Sequence, residues 1–255
     1  MLLAIDIGNS NIVLGVFEGE KLRATWRIAT GIHRLADEYA TLLLDLLRHD
    51  NLEPSDIDDA VICSVVPPLI SAFEGVCRRY FKISPLVVGA GIKTRVRICM
   101  DNPREVGADR IVNAAAAHHL YSGPVIVIDF GTATTFDVVS KKGDYLGGAI
   151  APGIETASEA LFMRAAMLPR VELTHPEHAI GRNTIAAMQS GIIYGYVGLI
   201  EGIVARIQQE LGERTRVVAT GGFALIIARE TTVIETINPE LTLVGLHLIY
   251  KMNRP

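Results

Sequence analysis

Short apolar runs alternate with turn residues along the first part of the chain. Leu2 to Ile5, Ile12 to Phe17 and Leu22 to Ile28 are separated by Asp-Ile-Gly-Asn-Ser-Asn and Glu-Gly-Glu segments. Strand-length apolar runs joined by such turns predict a β-meander. Leu35 to Arg48 then places its leucines at helical spacing, which predicts an amphipathic helix.

The opening pattern returns near the middle of the chain. Ile5 to Ser10 and Ile128 to Ala133 share one design, in which an apolar residue, Asp, another apolar residue and Gly precede two small or polar residues. Each copy follows an apolar strand and leads into another. Because the two copies lie about half the chain apart, we expect a duplicated lobe, with residues 1–120 and 121–255 as its two versions. Mixed sheets flanked by helices then predict an α/β fold.

Several longer elements complete the predicted lobes. An Ala-rich helix is expected from Gly107 to Leu120, and a long helix from about Thr184 to Leu211. Arg216 to Ala219 reads as a strand that ends in Thr-Gly-Gly, and a final helix is expected from about Pro239 to Met252.

The bulk composition narrows the functional class. The chain has 255 residues, 49% hydrophobic and 20% charged, with a formal net charge of −4 and no long run of one sign. These values are typical of a globular protein and do not favour nucleic-acid or membrane binding. The odd number of cysteines argues against a disulfide framework, so we expect Cys63, Cys77 and Cys99 to be reduced core residues of a cytosolic protein.

Neither a leader segment nor a membrane span is expected from the pattern. The N-terminus enters a strand directly, without a basic region or cleavage site. The apolar stretch Gly191 to Val204 is too short to cross a bilayer. We therefore expect a cytoplasmic protein.

The two Asp-x-Gly turns have the chemistry of a phosphate site. A turn after a buried strand lies where open α/β sheets bind ligands, and Gly8 allows close backbone approach. The amides and side chains of Asn9, Ser10 and Asn11 can donate to phosphate oxygens. Asp6 would repel phosphate and is better suited to Mg²⁺, directly or through water.

The second turn would offer Asp129, Gly131 and the hydroxyl groups of Thr132, Thr134 and Thr135, and the two turns together could hold a polyphosphate. A single Asp-x-Gly can be an ordinary turn, and the duplication is what favours nucleotide binding. Gly221-Gly222 could lie against an adenosine or be an ordinary turn.

Asp109 is the candidate general base. It lies at the predicted start of a helix, where the positive end of the helix dipole favours an ionised carboxylate. An ionised Asp can accept a hydroxyl proton during phosphoryl transfer. Arg110 could hold a substrate carboxylate or developing phosphate charge. The alternative is a structural Asp with a surface Arg.

Four stretches, in this order, give the chain a specific resemblance over its whole length. They are Asp6 to Asn11, Asn102 to Arg110, Asp129 to Thr134 and Gly147 to Gly153. With them the chain resembles the type III pantothenate kinases. The resemblance implies duplicated ribonuclease H-like lobes of the actin-like ATPase superfamily. It also implies ATP-dependent phosphorylation of pantothenate, the first step of coenzyme A synthesis.

The resemblance also implies roles for individual residues. ATP would bind at Asp6, Ile7, Gly8, Asn9, Ser10, Asn11, Ile12, Val13 and Thr132. Pantothenate would contact Met100, Gly107, Ala108, Asp109, Arg110 and Thr184. Asp109 becomes the favoured proton acceptor, and Asp129 becomes a ligand for a monovalent cation, K⁺ or NH₄⁺, rather than for a second Mg²⁺.

Two positions depart from the family pattern. Ser10 stands where the family often has Thr, which keeps the hydroxyl group. Met100 stands where an aromatic residue is usual in the substrate wall. Met can still fill an apolar space.

Four glycines of the long predicted helix are spaced 4, 3 and 4 residues apart: Gly191, Gly195, Gly198 and Gly202. They line one face and permit close helix approach, either within the monomer or across a dimer interface. The family forms homodimers, so the resemblance implies a dimer.

Two other functions stay open from sequence alone. The fold could serve as a regulatory or binding module, or it could be a superfamily kinase that acts on another small substrate.

Overall fold

The computed structural model describes residues 1–254, which form two compact units. The first unit contains residues 1–96, 102–116 and the C-terminal segment from Leu241. The second unit contains residues 97–101 and 117–240. This grouping places the last helix with the first unit. The predicted lobes, 1–120 and 121–255, describe the duplicated sequence, and their boundaries stay a prediction.

The first unit is built on a five-stranded mixed sheet in the order β3-β2-β1-β4-β5. Its strands are β1 (Leu2–Ile7), β2 (Asn11–Glu18), β3 (Lys21–Ala29), β4 (Asp59–Ser64) and β5 (Leu86–Val87). β1, β2 and β3 form the predicted meander, and β4 lies parallel to β1. β1 and β4 are central and almost wholly apolar, as expected for strands buried on both faces.

Helices cover both faces of this first sheet. They are α1 (Ala36–His49), α2 (Pro67–Val76), α3 (Ala108–Leu120) and α7 (Leu241–Asn253). α1 and α2 pack on one face through residues such as Tyr39, Leu43 and Phe73. α7 and the first part of α3 pack on the other face through Leu246 and Val112. The unit boundary falls within α3, after Ala116.

The second unit has a sheet of the same design, in the order β10-β9-β6-β7-β8. Its strands are β6 (Val125–Phe130), β7 (Ala133–Val139), β8 (Tyr145–Pro152), β9 (Arg216–Gly221) and β10 (Thr236–Ile237). β6, β7 and β8 are antiparallel, and β9 lies parallel to β6. Each strand therefore corresponds to one in the first sheet, which confirms the predicted duplicated α/β fold.

Three helices pack on the second sheet: α4 (Ile154–Arg164), α5 (Thr184–Leu211) and α6 (Ala224–Ala228). α5 has the predicted bounds. Asn183 caps its start by accepting from the Ala186 amide, and Gly212 ends it at φ 68°. By length and composition alone α5 could cross a membrane. In this structure, 39% of its most apolar 18-residue stretch is buried inside the protein. Residues such as Ile193 and Ile200 belong to the core of this unit.

One expectation about the cysteines is wrong. Cys63 and Cys77 are buried free thiols, as expected, but Cys99 is exposed. Cys99 lies in the segment 97–101, which runs beside the start of β8 through hydrogen bonds with Tyr145. An edge segment of this kind leaves alternate side chains open to solvent, so Cys99 is not a core residue.

Candidate active site

The first Asp-x-Gly turn is closed by backbone hydrogen bonds at the end of β1. The Gly8 amide donates to the Asn11 carbonyl at 3.0 Å. Thr30, at the end of β3, holds the turn from outside: its hydroxyl donates to the Gly8 carbonyl at 2.7 Å and its amide donates to the Ser10 carbonyl at 3.0 Å. The side chains of Asn9, Ser10 and Asn11 are exposed. The predicted phosphate-binding turn is therefore a fixed, solvent-facing loop.

Asp6 lies one residue before this turn, as the penultimate residue of β1. Its register partners are Val13 on the antiparallel β2 and Cys63 on the parallel β4. Ile7 and Ile12 flank the turn as buried core residues. These two predicted ATP-site residues thus belong to the core below the turn, whereas Asp6 is half-buried and the turn itself is exposed.

Asp109 is a mostly buried carboxylate near the start of α3. Its Oδ1 accepts from the Arg110 amide at 2.8 Å. Burial raises the pKa of Asp109 above its ordinary value, and the Arg110 amide and charge oppose that rise only in part. The sequence argument expected the helix start to favour the ionised form. Burial turns out to be the larger effect, because it removes the carboxylate from water.

Gly107 makes the space for this carboxylate. A Cβ built at position 107 would lie 2.5 Å from Asp109 Oδ1 and 3.6 Å from Val65 Cγ1. No side chain fits there without moving Asp109. The Gly-Ala-Asp-Arg segment therefore has a steric reason for its first residue, with Ala108 as the first residue of α3.

Asp6 and Asp109 have a common neighbour in the first unit, the Cys63 thiol. Cys63 is fully buried, and its pKa is raised well above the ordinary value, first by burial and then by the charges of Asp6 and Asp109. Asp6 is the register partner of Cys63 across β1 and β4. The charges of the predicted Mg²⁺ residue and the predicted base therefore act on the same buried thiol of the first unit.

The second Asp-x-Gly turn, at the end of β6, is closed in a similar way. The Gly131 amide donates to the Ala133 carbonyl at 3.0 Å. The Thr132 carbonyl accepts from the Gly153 amide at 3.1 Å and from the Thr156 hydroxyl at 2.9 Å, both at the start of α4. The Thr132 side chain remains exposed.

Gly153 lies against this turn so closely that a Cβ would be 2.4 Å from the Thr132 carbonyl oxygen. Thr30 and Thr156, which hold the two turns, were not singled out by sequence reasoning, and Gly153 was named only as the end of the Gly147 to Gly153 stretch. The signal for Gly153 was the glycine itself, between a strand and a helix.

The turn residues differ in which side of the sheet they face. Thr134 is fully buried, on the same side as the core residue Phe136, and its hydroxyl has no hydrogen-bond partner among residues 1–254. The expectation that Thr134 offers a hydroxyl to phosphate is therefore wrong. β7 already begins at Ala133, so Thr134 is part of the pleat and not of the turn.

Asp129 faces the other side, opposite Thr135 in the register of β6 and β7. The Gly221 backbone at the end of β9 lies against it, since a Cβ at Gly221 would be 2.8 Å from Asp129 Oδ1. Gly221 also has φ 88°, which favours glycine.

Met100 and Thr184 belong to other elements of the second unit. Met100 is half-buried, and its Sδ would lie 2.9 Å from a Cβ at Gly147, which has φ 109°. Thr184 is the exposed first residue of α5. Met100 thus packs against the Gly147-Gly148 segment as an apolar wall, whereas Thr184 offers a hydroxyl group at a helix start.

A cavity of about 380 Å³ opens in the second unit next to the Gly221-Gly222 turn. Phe223, which follows that turn, is one of its walls. The other lining residues are Glu155, Ser158, Glu159, Arg170, Val171, Glu172 and Leu173. The cavity is large enough for a nucleoside, and its carboxylates can accept from hydroxyl and amino groups.

Metal coordination within this chain would depend on few protein ligands. Among residues 1–254, no group of three or more His, Cys, Asp or Glu side chains is positioned to hold a metal ion. Single carboxylates such as Asp6 and Asp129 fit a cation whose remaining ligands are phosphate, water, hydroxyl or carbonyl oxygens, as is common for Mg²⁺ with a nucleotide.

Comparison with known proteins decides the family. A family model for type III pantothenate kinase matches residues 2–206. A type III pantothenate kinase of Dehalococcoides mccartyi (strain CBDB1) is 55% identical over 253 residues, which cover 99% of this chain and 96% of the relative. The chain belongs to the type III pantothenate kinase family. Membership implies a soluble kinase that uses ATP, and therefore a divalent metal ion.

Solved structures support the fold. A Campylobacter jejuni protein provisionally named as a Baf family transcriptional activator aligns with TM-score 0.61 and 18% identity, covering 98% of each chain. Component A of the (R)-2-hydroxyglutaryl-CoA dehydratase of Acidaminococcus fermentans aligns with TM-score 0.55 and 14% identity, covering 96% of this chain and 94% of that one. At these identities the likeness shows the duplicated fold alone, so the activator's name carries no function to this member of the type III pantothenate kinase family.

Proposed function

We propose that this protein transfers the γ-phosphoryl group of ATP to the hydroxyl group of pantothenate. The product is 4'-phosphopantothenate, and the reaction is the first step of coenzyme A synthesis. The observation that carries the proposal is the Asp109 carboxylate, whose pKa is raised by desolvation and which Gly107 leaves room for, in a chain of the type III pantothenate kinase family. Phosphoryl transfer needs mainly positioning and charge stabilisation, and this site provides both without a covalent nucleophile.

The nucleotide phosphates bind at the turn after β1 and at Thr132. The fixed loop between Asp6 and Val13 offers backbone amides and the exposed side chains of Asn9 and Ser10. Asp6 holds Mg²⁺, directly or through water, and Mg²⁺ would neutralise phosphate charge when bound. The adenosine enters the cavity beside Phe223, because glutamates there repel phosphate but accept from ribose and adenine donors.

Pantothenate binds through Gly107, Ala108, Asp109, Arg110, Met100 and Thr184. Arg110 pairs with the pantothenate carboxylate or with the developing phosphate charge. Met100 supplies an apolar wall. Asp109 accepts the proton of the attacking hydroxyl group, and its raised pKa makes it a stronger base than an ordinary Asp.

A monovalent cation, K⁺ or NH₄⁺, binds at Asp129. Asp129 presents one carboxylate, with the close Gly221 backbone on one side and Thr135 on the other. Oxygen ligands of this kind suit a hard cation.

The protein is cytoplasmic and forms a homodimer through the glycine face of α5.

A coupled ATPase assay with pantothenate, with and without K⁺, tests the proposal. Asp109→Asn should bind ATP normally and lose turnover by about 10²–10⁴-fold, because it removes the proton acceptor. Asp45→Asn, an exposed carboxylate of α1, is the matched control and should leave turnover unchanged. Turnover of Asp109→Asn close to the unmodified protein would remove Asp109 as the base. Activity with another small alcohol but not with pantothenate would reject the substrate.

A further inference from the structure

Asp137 is a fully buried carboxylate in the second unit that has no role in the site described so far. Its Oδ1 accepts from the Tyr145 hydroxyl at 2.8 Å, and its Oδ2 accepts from the Thr135 hydroxyl at 2.9 Å. Burying a carboxylate is costly, and a position on a central strand would normally be apolar. The hydrogen bonds offset that cost, and they also fix the direction of two hydroxyl groups.

Thr135 lies between Asp137 and Asp129 on one side of the sheet. It is two residues from Asp137 along β7 and directly opposite Asp129 across the β6–β7 pair. Side chains in such positions are neighbours, with Cβ atoms of opposed residues about 4.5–5.5 Å apart. Thr135 itself is half-buried.

The hydrogen bond to Asp137 decides what Thr135 can offer. A hydroxyl group has one proton and two lone pairs, and an ionised carboxylate can only accept. The Thr135 proton therefore points to Asp137, and lone pairs are what the oxygen presents elsewhere. A hydroxyl oxygen whose proton is engaged in this way can coordinate a cation through its lone pairs. It has no second proton to donate to an anion.

The oxygen atoms beside Asp129 are of the kind that suits such a cation. The Asp129 carboxylate and the Thr135 oxygen lie on neighbouring strands, and the Gly221 backbone borders the carboxylate where a Cβ would come within 2.8 Å of Oδ1. Glycine keeps that approach open. A carboxylate, a hydroxyl oxygen and nearby carbonyl oxygens form the hard-ligand set that alkali and alkaline-earth cations prefer.

We propose that Thr135 is a second oxygen ligand of the monovalent cation at Asp129, and that Asp137 is a positioning residue that orients it. The inference rests on the proposed cation at Asp129. Asp137 acts through Thr135 and does not contact the cation.

Thermal unfolding in KCl, compared with choline chloride at equal ionic strength, gives a readout that does not depend on turnover. A bound cation raises the melting temperature according to its affinity. Thr135→Val should need about 10- to 100-fold more K⁺ for the same shift and for half-maximal activity, the size expected for disturbed metal ligation. Thr135→Ser, which keeps the hydroxyl, should retain the response. Thr134→Val is the matched control, because its buried hydroxyl has no partner and it faces the core.

A double-mutant cycle tests Asp137. Asp137→Asn should weaken the K⁺ response when Thr135 is present and add little in a Thr135→Val background, because the two residues act as one unit. Tyr145→Phe removes the hydrogen bond from Tyr145 to the same carboxylate and should lower stability without changing the K⁺ requirement. KM for ATP at saturating K⁺ should be unchanged in Thr135→Val.

The outcomes separate the two proposals. If the unmodified protein shows no K⁺ response, the cation site at Asp129 is rejected, and the role of Thr135 with it. If the unmodified protein responds, Asp129→Asn does not, and Thr135→Val responds normally, then the cation site stands and the Thr135 ligand is overturned. An additive effect of Asp137→Asn and Thr135→Val would overturn the positioning role.

Discussion

At the residue scale, Asp109 combines two opposing effects on one carboxyl group. Burial raises its pKa, and the Arg110 amide and guanidinium lower it by a smaller amount. The carboxylate is thereby a better proton acceptor than an exposed Asp. Its negative charge is poorly solvated, which disfavours the ionised form. Gly107 keeps the position open. The residue is therefore sensitive both to pH and to small displacements.

Gly107→Ala should displace Asp109, because the added Cβ would lie 2.5 Å from Oδ1. A shift of about 1 Å in a reacting group can cost on the order of 10²-fold in rate. We expect kcat with pantothenate to fall by about that factor while ATP affinity is retained. Gly89→Ala is the control, since a Cβ there meets no atom within 4 Å. Equal kcat values for the two variants would contradict this steric role.

The raised pKa of Asp109 predicts two pH dependences. The base works ionised, so kcat/KM should fall as pH decreases through a pKa higher than the ordinary 3.8. For stability the sign is opposite to that of a salt-bridged Asp. The ionised form is disfavoured in the folded state, so its cost is present above the folded pKa and disappears below the unfolded pKa.

Asp109→Asn should therefore increase the free energy of unfolding near neutral pH, with a gain that shrinks as the solution is acidified below the folded pKa. Urea titrations of both proteins at several pH values measure this difference. A gain that grows toward acid would show that the pKa is lowered and not raised.

At the element scale, the two sheets share one arrangement of strand end and turn. In each, an Asp is the penultimate residue of the central strand, and a short turn follows that is closed by the amide of the next glycine. The parallel neighbour of each Asp differs: Cys63 on β4 in the first sheet and Thr220 on β9 in the second. This difference gives the two aspartates separate surroundings, one beside the buried Cys63 and one against the Gly221 backbone.

The repeated elements could be predicted from sequence because they depend on local signals. Apolar runs of strand length, Asp-x-Gly turns and helical spacing appear directly in the residues, and α5 was predicted with its bounds. Thr134 was expected to lie in the second turn, but β7 already begins at Ala133, so Thr134 takes the core-facing side of the strand.

Contacts between distant segments could not be predicted. Residues 97–101 join the second unit through the Arg97–Asp144 ion pair and hydrogen bonds to Tyr145, across more than 40 residues. The buried Asp137 could have been noticed, since Asp129, Thr135 and Asp137 are spaced to share one side of the sheet. The hydrogen bonds that make it informative belong to the folded chain.

At the scale of the whole molecule, the outer face of α5 has no explanation within one chain. A Cβ at Gly191, Gly195 or Gly198 would meet no atom within 4 Å. Packing inside the monomer therefore does not require glycine there, although each glycine costs about 0.5–1 kcal/mol of helix stability relative to Ala. A close helix approach by a second copy of the chain would account for the glycine-lined space, and this favours the dimer over the internal alternative.

Gly195→Leu separates assembly from folding for this face. Leucine is a better helix former than glycine and has free space in the monomer, so the fold should be as stable as before or more stable. In a dimer, the added side chain would hold the two helices apart, and light scattering should give the mass of one chain, 27.6 kDa. Gly195→Ala adds a single methyl group and reports the gain in helix stability alone, by thermal unfolding. A dimer mass that persists in Gly195→Leu, with the fold intact by circular dichroism, would place the interface elsewhere. A monomer mass for the unmodified chain would reject the dimer itself.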